Sequence, residues 1–139
     1  MAVNKMFARL GAVLMITLAF TLVQAKRPKT IPNGGWGGTH IQLTVADGSA
    51  SIEYDCANGS IDGPLKIDSR GRFDWRGTHV REHGGPVRIG ENRDASAARY
   101  TGWTDGKRMK LTVTLVDSKT VVGTFELTQG RQGRVFKCR

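Results

Sequence analysis

The residues whose chemistry stands out lie in one stretch, residues 79–97, which is the longest segment without a regular strand pattern. It contains His79, Arg81, Glu82 and His83 within five positions. Imidazole and carboxylate groups act as metal ligands or as acids and bases, and guanidinium groups bind anions. Long loops in small domains are commonly functional. This stretch is therefore predicted to contact a ligand or a partner.

The spacing of His79, Glu82 and His83 matches H-x-x-E-H, the pattern of the inverted zinc metallopeptidases. That pattern works on a helix, where positions i and i+4 share a face. Here a strand pattern precedes it and GGP follows it, and extended backbone places the two imidazoles about 13 Å apart, too far to share one ion. We predict no catalytic residue, no cofactor and no enzyme. A metal site that does not follow this motif and is built from His40, His79, Glu82 and His83 is still possible if the loop folds back. The alternative is that these side chains only form hydrogen bonds at the rim of a barrel.

The N-terminus has the order of a secretory signal peptide. Lys5 and Arg9 precede an uncharged, mostly apolar run over residues 10–22, and small residues lead up to Ala25. We predict cleavage after Ala25 and a secreted or periplasmic mature chain that does not insert into a membrane. A membrane anchor is the alternative, but it needs about 20 apolar residues. The whole chain has a formal net charge of +9, so the mature protein is basic and attracts anions.

Cys56 and Cys138 are the two cysteines of the chain. An even number of cysteines in an exported protein predicts one disulfide bond. Two buried free thiols are the alternative.

After a basic, Pro- and Gly-rich lead-in over residues 26–35, which we expect to be flexible, apolar and polar residues alternate with the period of a β-strand. No helical spacing occurs. We predict a single domain over residues 36–139 with eight strands in sequential hairpins. The predicted pairs are 40–45 with 50–56, 64–68 with 72–80, 98–104 with 108–116, and 120–128 with 134–138.

We predict an all-β fold, an eight-stranded antiparallel up-and-down barrel, because closure leaves no exposed sheet edge. An open meander or a sandwich is the alternative. Such a barrel is filled by side chains or holds one small ligand. In it Cys56 and Cys138 reach the same rim, but next-but-one strands lie about 9.6 Å apart, so at least one cysteine must lie beyond its strand. Six large side chains would fill the interior: Phe73, Trp75, Tyr100, Met109, Phe125 and Phe136.

The sequence Gly34-Gly35-Trp36 before the first predicted strand, with a basic residue near the chain end, resembles the calycin superfamily of small barrels. The resemblance implies an arginine stacked on Trp36, here Arg134 or Arg139. A tryptophan that only plugs the core is the alternative.

A second set of landmarks is similar to the C-type periplasmic lysozyme inhibitors, which are eight-stranded barrels. That family has Y-x-C, S-G-x-x-Y, W-x-K-G and a terminal Cys, and its Ser and Lys segments enter the lysozyme cleft. Ser96 and Tyr100 carry over, and Arg99 between them is a further candidate contact. Ala97 occupies the Gly position and Asp105 the Lys position. The matching segments are 54–56 (YDC), 96–100 (SAARY), 103–106 (WTDG) and Cys138.

Residues 53–62 (EYDCANGSID) and 77–88 (GTHVREHGGPVR) also look like a family of secreted bacterial proteins of unknown activity. The leading hypothesis is a monomeric, non-enzymatic binding protein for a small ligand or an anionic envelope component. The second is a proteinaceous inhibitor of a cell-wall hydrolase, acting through residues 96–100. The third is a metal-dependent enzyme built on the rim histidines. The cations are spread along the chain without exposed aromatic stripes, so no nucleic-acid partner is predicted.

Overall fold

The computed structural model describes residues 29–86, 88–90 and 95–138. Eight antiparallel strands form a closed barrel in which the last strand pairs with the first, which confirms the predicted all-β fold. The described part of the chain contains no helix that is long and apolar enough to span a membrane. The wall consists of β2 (Gly34–Gly38), β3 (Ile41–Ala46), β4 (Ser49–Tyr54), β5 (Ala57–Ile61), β7 (Arg72–Arg81), β8 (Ala95–Thr104), β9 (Arg108–Leu115) and β10 (Val121–Gln129). Two short strands, β1 (Lys29–Thr30) and β6 (Lys66–Ile67), pair outside this wall.

Two of the eight wall strands differ from those predicted. Residues 64–68 and 134–138 are not part of the wall, since only β6 forms in the first segment and Arg134 makes a single bridge to Thr39 in the second. Their places are taken by β2 and β5. These strands read GGWGG and ANGSI, and their glycines remove the alternation of side chains from which strands are predicted.

The structured chain also starts earlier than the predicted boundary at residue 36. Lys29 and Thr30 pair with β6, and Gly34 begins β2, so both lie inside the expected flexible lead-in. Residues 26–28 and the predicted signal peptide, residues 1–25, lie outside the described residues.

The inward side chains of the wall form a single core around Trp36 and Tyr100, neither of which is exposed to solvent. Glycine makes room for the second of these rings, because a Cβ at Gly59 would overlap the Tyr100 hydroxyl and the Thr78 carbonyl. The Tyr100 hydroxyl donates a hydrogen bond to Thr78 O at 2.5 Å. The arginine stack on Trp36 stays a prediction, and Arg139 lies outside the described residues.

One end of the barrel is closed by the connection between β5 and β7. Leu65 and Ile31 are buried there, and Ile31 N donates to Leu65 O at 3.1 Å. Phe73 and Trp75 stack with ring centroids 3.9 Å apart. Trp75 Nε1 donates to Lys66 O at 2.9 Å, so the indole is fixed and its polar atom is satisfied. Packed side chains among the described residues thus cover this end of the barrel.

Residues 131–138, the C-terminal strap, cross the outside of the β2–β3 turn and end beside the β4–β5 turn. Arg134 N donates to Gly38 O at 2.9 Å, and His40 N donates to Arg134 O at 2.7 Å. Gly37 allows this approach, because a Cβ there would overlap the strap backbone. Further along, Phe136 N donates to Asp55 Oδ1 at 2.7 Å. The strap is therefore a backbone-bonded segment of the domain.

The predicted disulfide joins Cys56 and Cys138, with a Cα–Cα distance of 4.9 Å. Both cysteines lie beyond the wall strands, Cys56 in the β4–β5 turn and Cys138 at the end of the strap. The chain thereby crosses the rim and covers the distance that separates next-but-one strands.

We expect the variant Cys56→Ser, Cys138→Ser to be less stable than the oxidised protein. The disulfide closes a loop with a sequence separation of 82 residues, and the chain-entropy model gives about 4 kcal/mol for a loop of that size. Urea unfolding of the mature protein measures the change in the free energy of unfolding. The reduced wild type is the control and is expected to match the double variant. An unchanged free energy of unfolding would show that the bond does not stabilise the fold.

Candidate functional site

The end of the barrel beneath the disulfide contains a cavity of about 420 Å³, here called the rim cavity. Its volume falls within the range of small-molecule sites, about 300–1,000 Å³. A groove of about 560 Å³ also runs along the strap outside the wall, but it contains none of the predicted site residues. The rim cavity is lined by His40, Tyr54, Asp55, Cys56, Ala57, His79, Arg81, Glu82, Val122, Phe125 and Cys138.

Three rings form one side of the rim cavity. Tyr54 lies between His79 and Phe125, with ring centroids 5.5 Å and 5.6 Å away, respectively, and both pairs are tilted. All three rings point into the barrel. Tyr54 is the last residue of β4 and His79 lies near the end of β7, whereas Phe125 lies in the middle of β10. Tyr54 and His79 are buried, whereas Phe125 is half-buried. A flat apolar group fits against such rings.

His79 is a neutral imidazole at neutral pH. Burial lowers its pKa below the ordinary value of 6.5, and the positive charge of Arg81 lowers it further. The side chain is 9% exposed, and its Nε2 has no hydrogen-bond partner among the described residues. A buried polar atom without a partner costs about 1–3 kcal/mol. This atom has almost no accessible surface, so its missing hydrogen bond is not directed into the open space of the cavity.

Tyr54 has a hydroxyl that is also buried. Burial raises its pKa well above the ordinary range, and the neighbouring Tyr100 raises it further, so the phenol stays protonated. The Tyr54 hydroxyl lies beside that of Tyr100 but has no partner of good hydrogen-bond geometry in the described part of the chain. Tyr100 already donates to Thr78 O. The Tyr54 hydroxyl is therefore a second buried polar group without a well-aligned partner among the described residues, and it belongs to a residue that lines the cavity.

The two carboxylates of the rim cavity hold the surrounding structure together. Asp55 accepts from the strap backbone and pairs with His40 Nδ1. Glu82 Oε1 accepts from Asn58 Nδ2 at 2.7 Å and lies 3.8 Å from Lys137 Nζ. Both acids are thus engaged by protein groups and contribute positioning at the rim.

Arg81 is a cation of the rim cavity that pairs with neither Asp55 nor Glu82. It lies at the end of β7, is exposed, and forms no ion pair with any described residue. Its charge acts on His79 within the same cavity. Guanidinium groups pair well with planar or tetrahedral anions such as carboxylate, sulfonate and phosphate.

The predicted site residues divide into two groups. His79, Arg81 and Glu82 come together at the rim cavity, whereas His83 lies beyond β7, exposed, with its Nδ1 3.3 Å from Gly84 O.

The segment proposed to contact a hydrolase lies in β8 and presents no common surface. Tyr100 is fully buried in the core, and Arg99 points outward to Asp74. Ser96 is half-buried opposite His79 in the β7–β8 register. Inhibition of a hydrolase stays a prediction.

The H-x-x-E-H motif begins near the end of β7, and its Glu82 and His83 lie just beyond that strand. His79 lies inside the barrel and His83 outside it. Within the described ranges, no group of three or more His, Cys, Asp or Glu side chains could hold a metal ion. The loop that bears this motif is also shorter than predicted, because β7 continues to Arg81 and β8 begins at Ala95. Of that loop, residues 87 and 91–94 lie outside the described residues.

Sequence reasoning missed Tyr54, Phe125 and Asp55 as site residues. The alternation of apolar and polar residues predicts that Tyr54 and Phe125 point into the core. It does not show that the interior is incompletely filled at this rim. The signal that could have identified Tyr54 is its position as the last inward residue before a cysteine at the rim. Of the six predicted fillers, Phe136 lies on the strap and is 62% exposed, which leaves space at this end.

No model of a known protein family, no curated protein and no solved structure matches the chain significantly. The resemblances to calycins, to lysozyme inhibitors and to secreted bacterial proteins therefore rest on the residues quoted for them.

We expect the neutral state of His79 to make the protein less stable in acid. Its folded pKa is lowered, so the unfolded chain binds more protons as the pH falls through about 6.5, and stability that is fully present above that pH is lost below it. The His79→Gln variant removes this titration. Urea unfolding at pH 7.5 and pH 5 should show a smaller loss of stability for His79→Gln than for the wild type.

The control is Ser51→Gln, which places the same new side chain at an exposed position of β4 and removes no titratable group. It should keep the pH dependence of the wild type. Equal acid sensitivity of His79→Gln and Ser51→Gln would contradict the assignment.

Proposed function

We propose that this chain is an exported, non-enzymatic binding protein that holds one small ligand in the rim cavity. The observation that carries the proposal is the cavity itself, a space of about 420 Å³ at one end of a barrel whose other end is closed. Eight-stranded barrels have room for one small ligand when side chains leave part of the interior empty.

The lining of the cavity favours a ligand with a flat apolar body and one acidic group. The rings of Tyr54, His79 and Phe125 would contact the body. The guanidinium of Arg81, which forms no ion pair with any described residue, would bind the acid. Apolar walls with a few convergent polar groups are typical of ligand sites.

The hydrogen bonding of the polar side chains at the rim cavity favours binding over catalysis. A general base needs a partner within hydrogen-bond reach of the reacting proton, and a catalytic pair is usually oriented by a third group. Among the described residues, His79 Nε2 has no such partner, while Asp55 and Glu82 are bound to other protein groups. The site is suited to hold a molecule and leave it unchanged.

Export to the periplasm or beyond is supported by two independent features. The first 25 residues have the order of a signal peptide. The mature part contains a disulfide, which forms and persists in oxidising compartments.

We expect the mature protein to bind 8-anilinonaphthalene-1-sulfonate, whose aromatic rings and sulfonate match the proposed ligand, with an increase in dye fluorescence. Ala57 lines the cavity and is buried, so Ala57→Leu fills part of the space and should weaken binding about tenfold, or about 1.4 kcal/mol. Mass spectrometry of small molecules released from the purified protein is the accompanying measurement for a natural ligand.

The matched control is Ala46→Leu, the same change at an exposed position of β3. It should leave the dye affinity unchanged. Equal affinity in Ala57→Leu and Ala46→Leu would place the dye elsewhere and overturn the proposal, and circular dichroism checks that both variants fold.

We expect Arg81→Gln to weaken binding of the sulfonated dye about five- to tenfold, because the charge-assisted pair with the sulfonate is lost. N-phenyl-1-naphthylamine, which has the same aromatic body without the sulfonate, is the control ligand. Its affinity should not change in Arg81→Gln. An equal loss for both dyes would show that Arg81 shapes the cavity and does not bind the acid.

A further inference from the structure

Charge is unevenly distributed over the outside of the barrel. The outward positions of β3, β4 and β5 have one charged side chain, Glu53, and are otherwise Gln, Asn, Ser, Thr or Ala. The outward positions of β7, β8 and β9 are rich in arginine and lysine. Cations that are spread along the sequence are therefore gathered on one side of the fold. This side, here called the basic face, consists of Trp103 and five cations, of which Lys107 lies in the β8–β9 turn and the others on the strands: Arg72, Arg76, Arg99, Lys107 and Lys110.

Trp103 is the exposed aromatic residue of the basic face. It is 42% exposed, whereas Trp36 and Trp75 are buried. In the sheet register it lies directly opposite Arg72 on β7 and Lys110 on β9. Neighbouring strands are about 4.8 Å apart, so an indole lies in one row between two cations.

The carboxylates on this side of the barrel are mostly engaged by neighbouring arginines. Arg99 is bidentate, with Nε 3.0 Å from Oδ1 of its acid. The other two pairs join the guanidinium and the carboxylate at 3.1 Å and 3.5 Å. The pairs are Arg99 with Asp74, Arg72 with Asp68, and Arg108 with Asp105.

Three cations of the basic face stay unpaired. Within the part of the chain that the structure describes, Arg76, Lys107 and Lys110 form no ion pair, and Glu126 lies opposite Lys110 in register without reaching it. Arg76 also lies directly opposite Arg99. Like charges in that position destabilise a sheet, and a bound anion would relieve the repulsion.

We infer that the basic face binds an anionic polysaccharide. The indole of Trp103 stacks on a sugar ring, and Arg76, Lys107 and Lys110 pair with the acidic groups along the glycan. A polymer fits because the unpaired cations are separated along and across the strands. Arg76 lies opposite Arg99 and Lys110 lies opposite Trp103, and these two positions of β8 are four residues, or about 13 Å, apart. The protein would thereby associate with an acidic polymer of the cell exterior or envelope.

Two other polyanions match the chemistry of this face less well. A membrane surface would need several exposed apolar side chains beside the cations, and Trp103 is the sole large exposed apolar side chain among the described outward residues of β7, β8 and β9. A single-stranded nucleic acid would need several aromatic rings for successive bases, and the basic face has one. Both polyanions are outcomes of the test.

The test uses the mature protein and polygalacturonate, a carboxylated glycan, with dextran as the neutral polymer. Intrinsic fluorescence is followed because Trp103 is the exposed tryptophan among the three. We expect binding to polygalacturonate that weakens with added NaCl, and no binding to dextran. Trp103→Ala should weaken binding about tenfold, read by isothermal titration calorimetry, and Trp103→Tyr should restore most of it.

A charge control separates a site from general attraction. Arg76→Gln and Lys110→Gln should each weaken binding several-fold, whereas Arg131→Gln, which removes an exposed cation of the C-terminal strap, should leave it unchanged. An equal loss of affinity in all three variants would show that binding depends only on the net charge of the protein, and it would overturn the inference. So would tighter binding to phosphatidylglycerol vesicles or to a single-stranded oligonucleotide than to polygalacturonate.

The basic face and the rim cavity are independent sites. The face lies on the outside of β7–β9, and the cavity opens at the end of the barrel. Ala57→Leu should therefore leave polygalacturonate binding unchanged, and Trp103→Ala should leave dye binding unchanged. Failure of one proposal is thus distinguishable from failure of the other.

Discussion

The pairing of β10 with β2 is the constraint on which the rest of this fold depends. It joins Leu127 to Gly38 and Gln129 to Trp36, and it turns a sheet with two free edges into a closed wall. Closure satisfies the backbone hydrogen bonds that an edge would leave open. It also fixes which side chains point inward, and it brings the C-terminal strap to the rim where the disulfide forms. Both the rim cavity and the basic face are consequences of this closed geometry.

The strand that makes closure possible has almost no side chains of its own. Gly37 lets the strap lie against the outside of the wall, while Trp36 fills the inside. The Trp36 side chain thus fills space in the interior, and the missing side chain of Gly37 leaves room for the strap on the exterior. The same division explains why this strand is hard to recognise, since it lacks the alternation of apolar and polar residues that defines the other strands.

Three buried polar atoms of the described residues lack a hydrogen-bond partner, and one of them, Trp36 Nε1, lies in the core away from the rim cavity. At the closed end the one polar atom of the stacked pair, Trp75 Nε1, is bonded to a carbonyl. At the open end His79 Nε2 and the Tyr54 hydroxyl are buried without good partners among the described residues. Unsatisfied buried groups cost stability, and natural proteins keep such costs mainly at functional sites. Two of the three unsatisfied atoms thus belong to residues that line the rim cavity.

Residue types and alternation were enough to predict the all-β barrel, six of its eight wall strands and the Cys56–Cys138 disulfide, because a strand pattern and a pair of cysteines are local or countable features. They also singled out His79, Arg81 and Glu82. They could not identify Tyr54 as the partner of both His79 and Phe125, since residues on β4, β7 and β10 meet only after the wall closes. Nor could they show that scattered arginines and lysines share one face. Which residues become neighbours across strands depends on register and closure, and these are properties of the folded sheet and not of any segment of the chain.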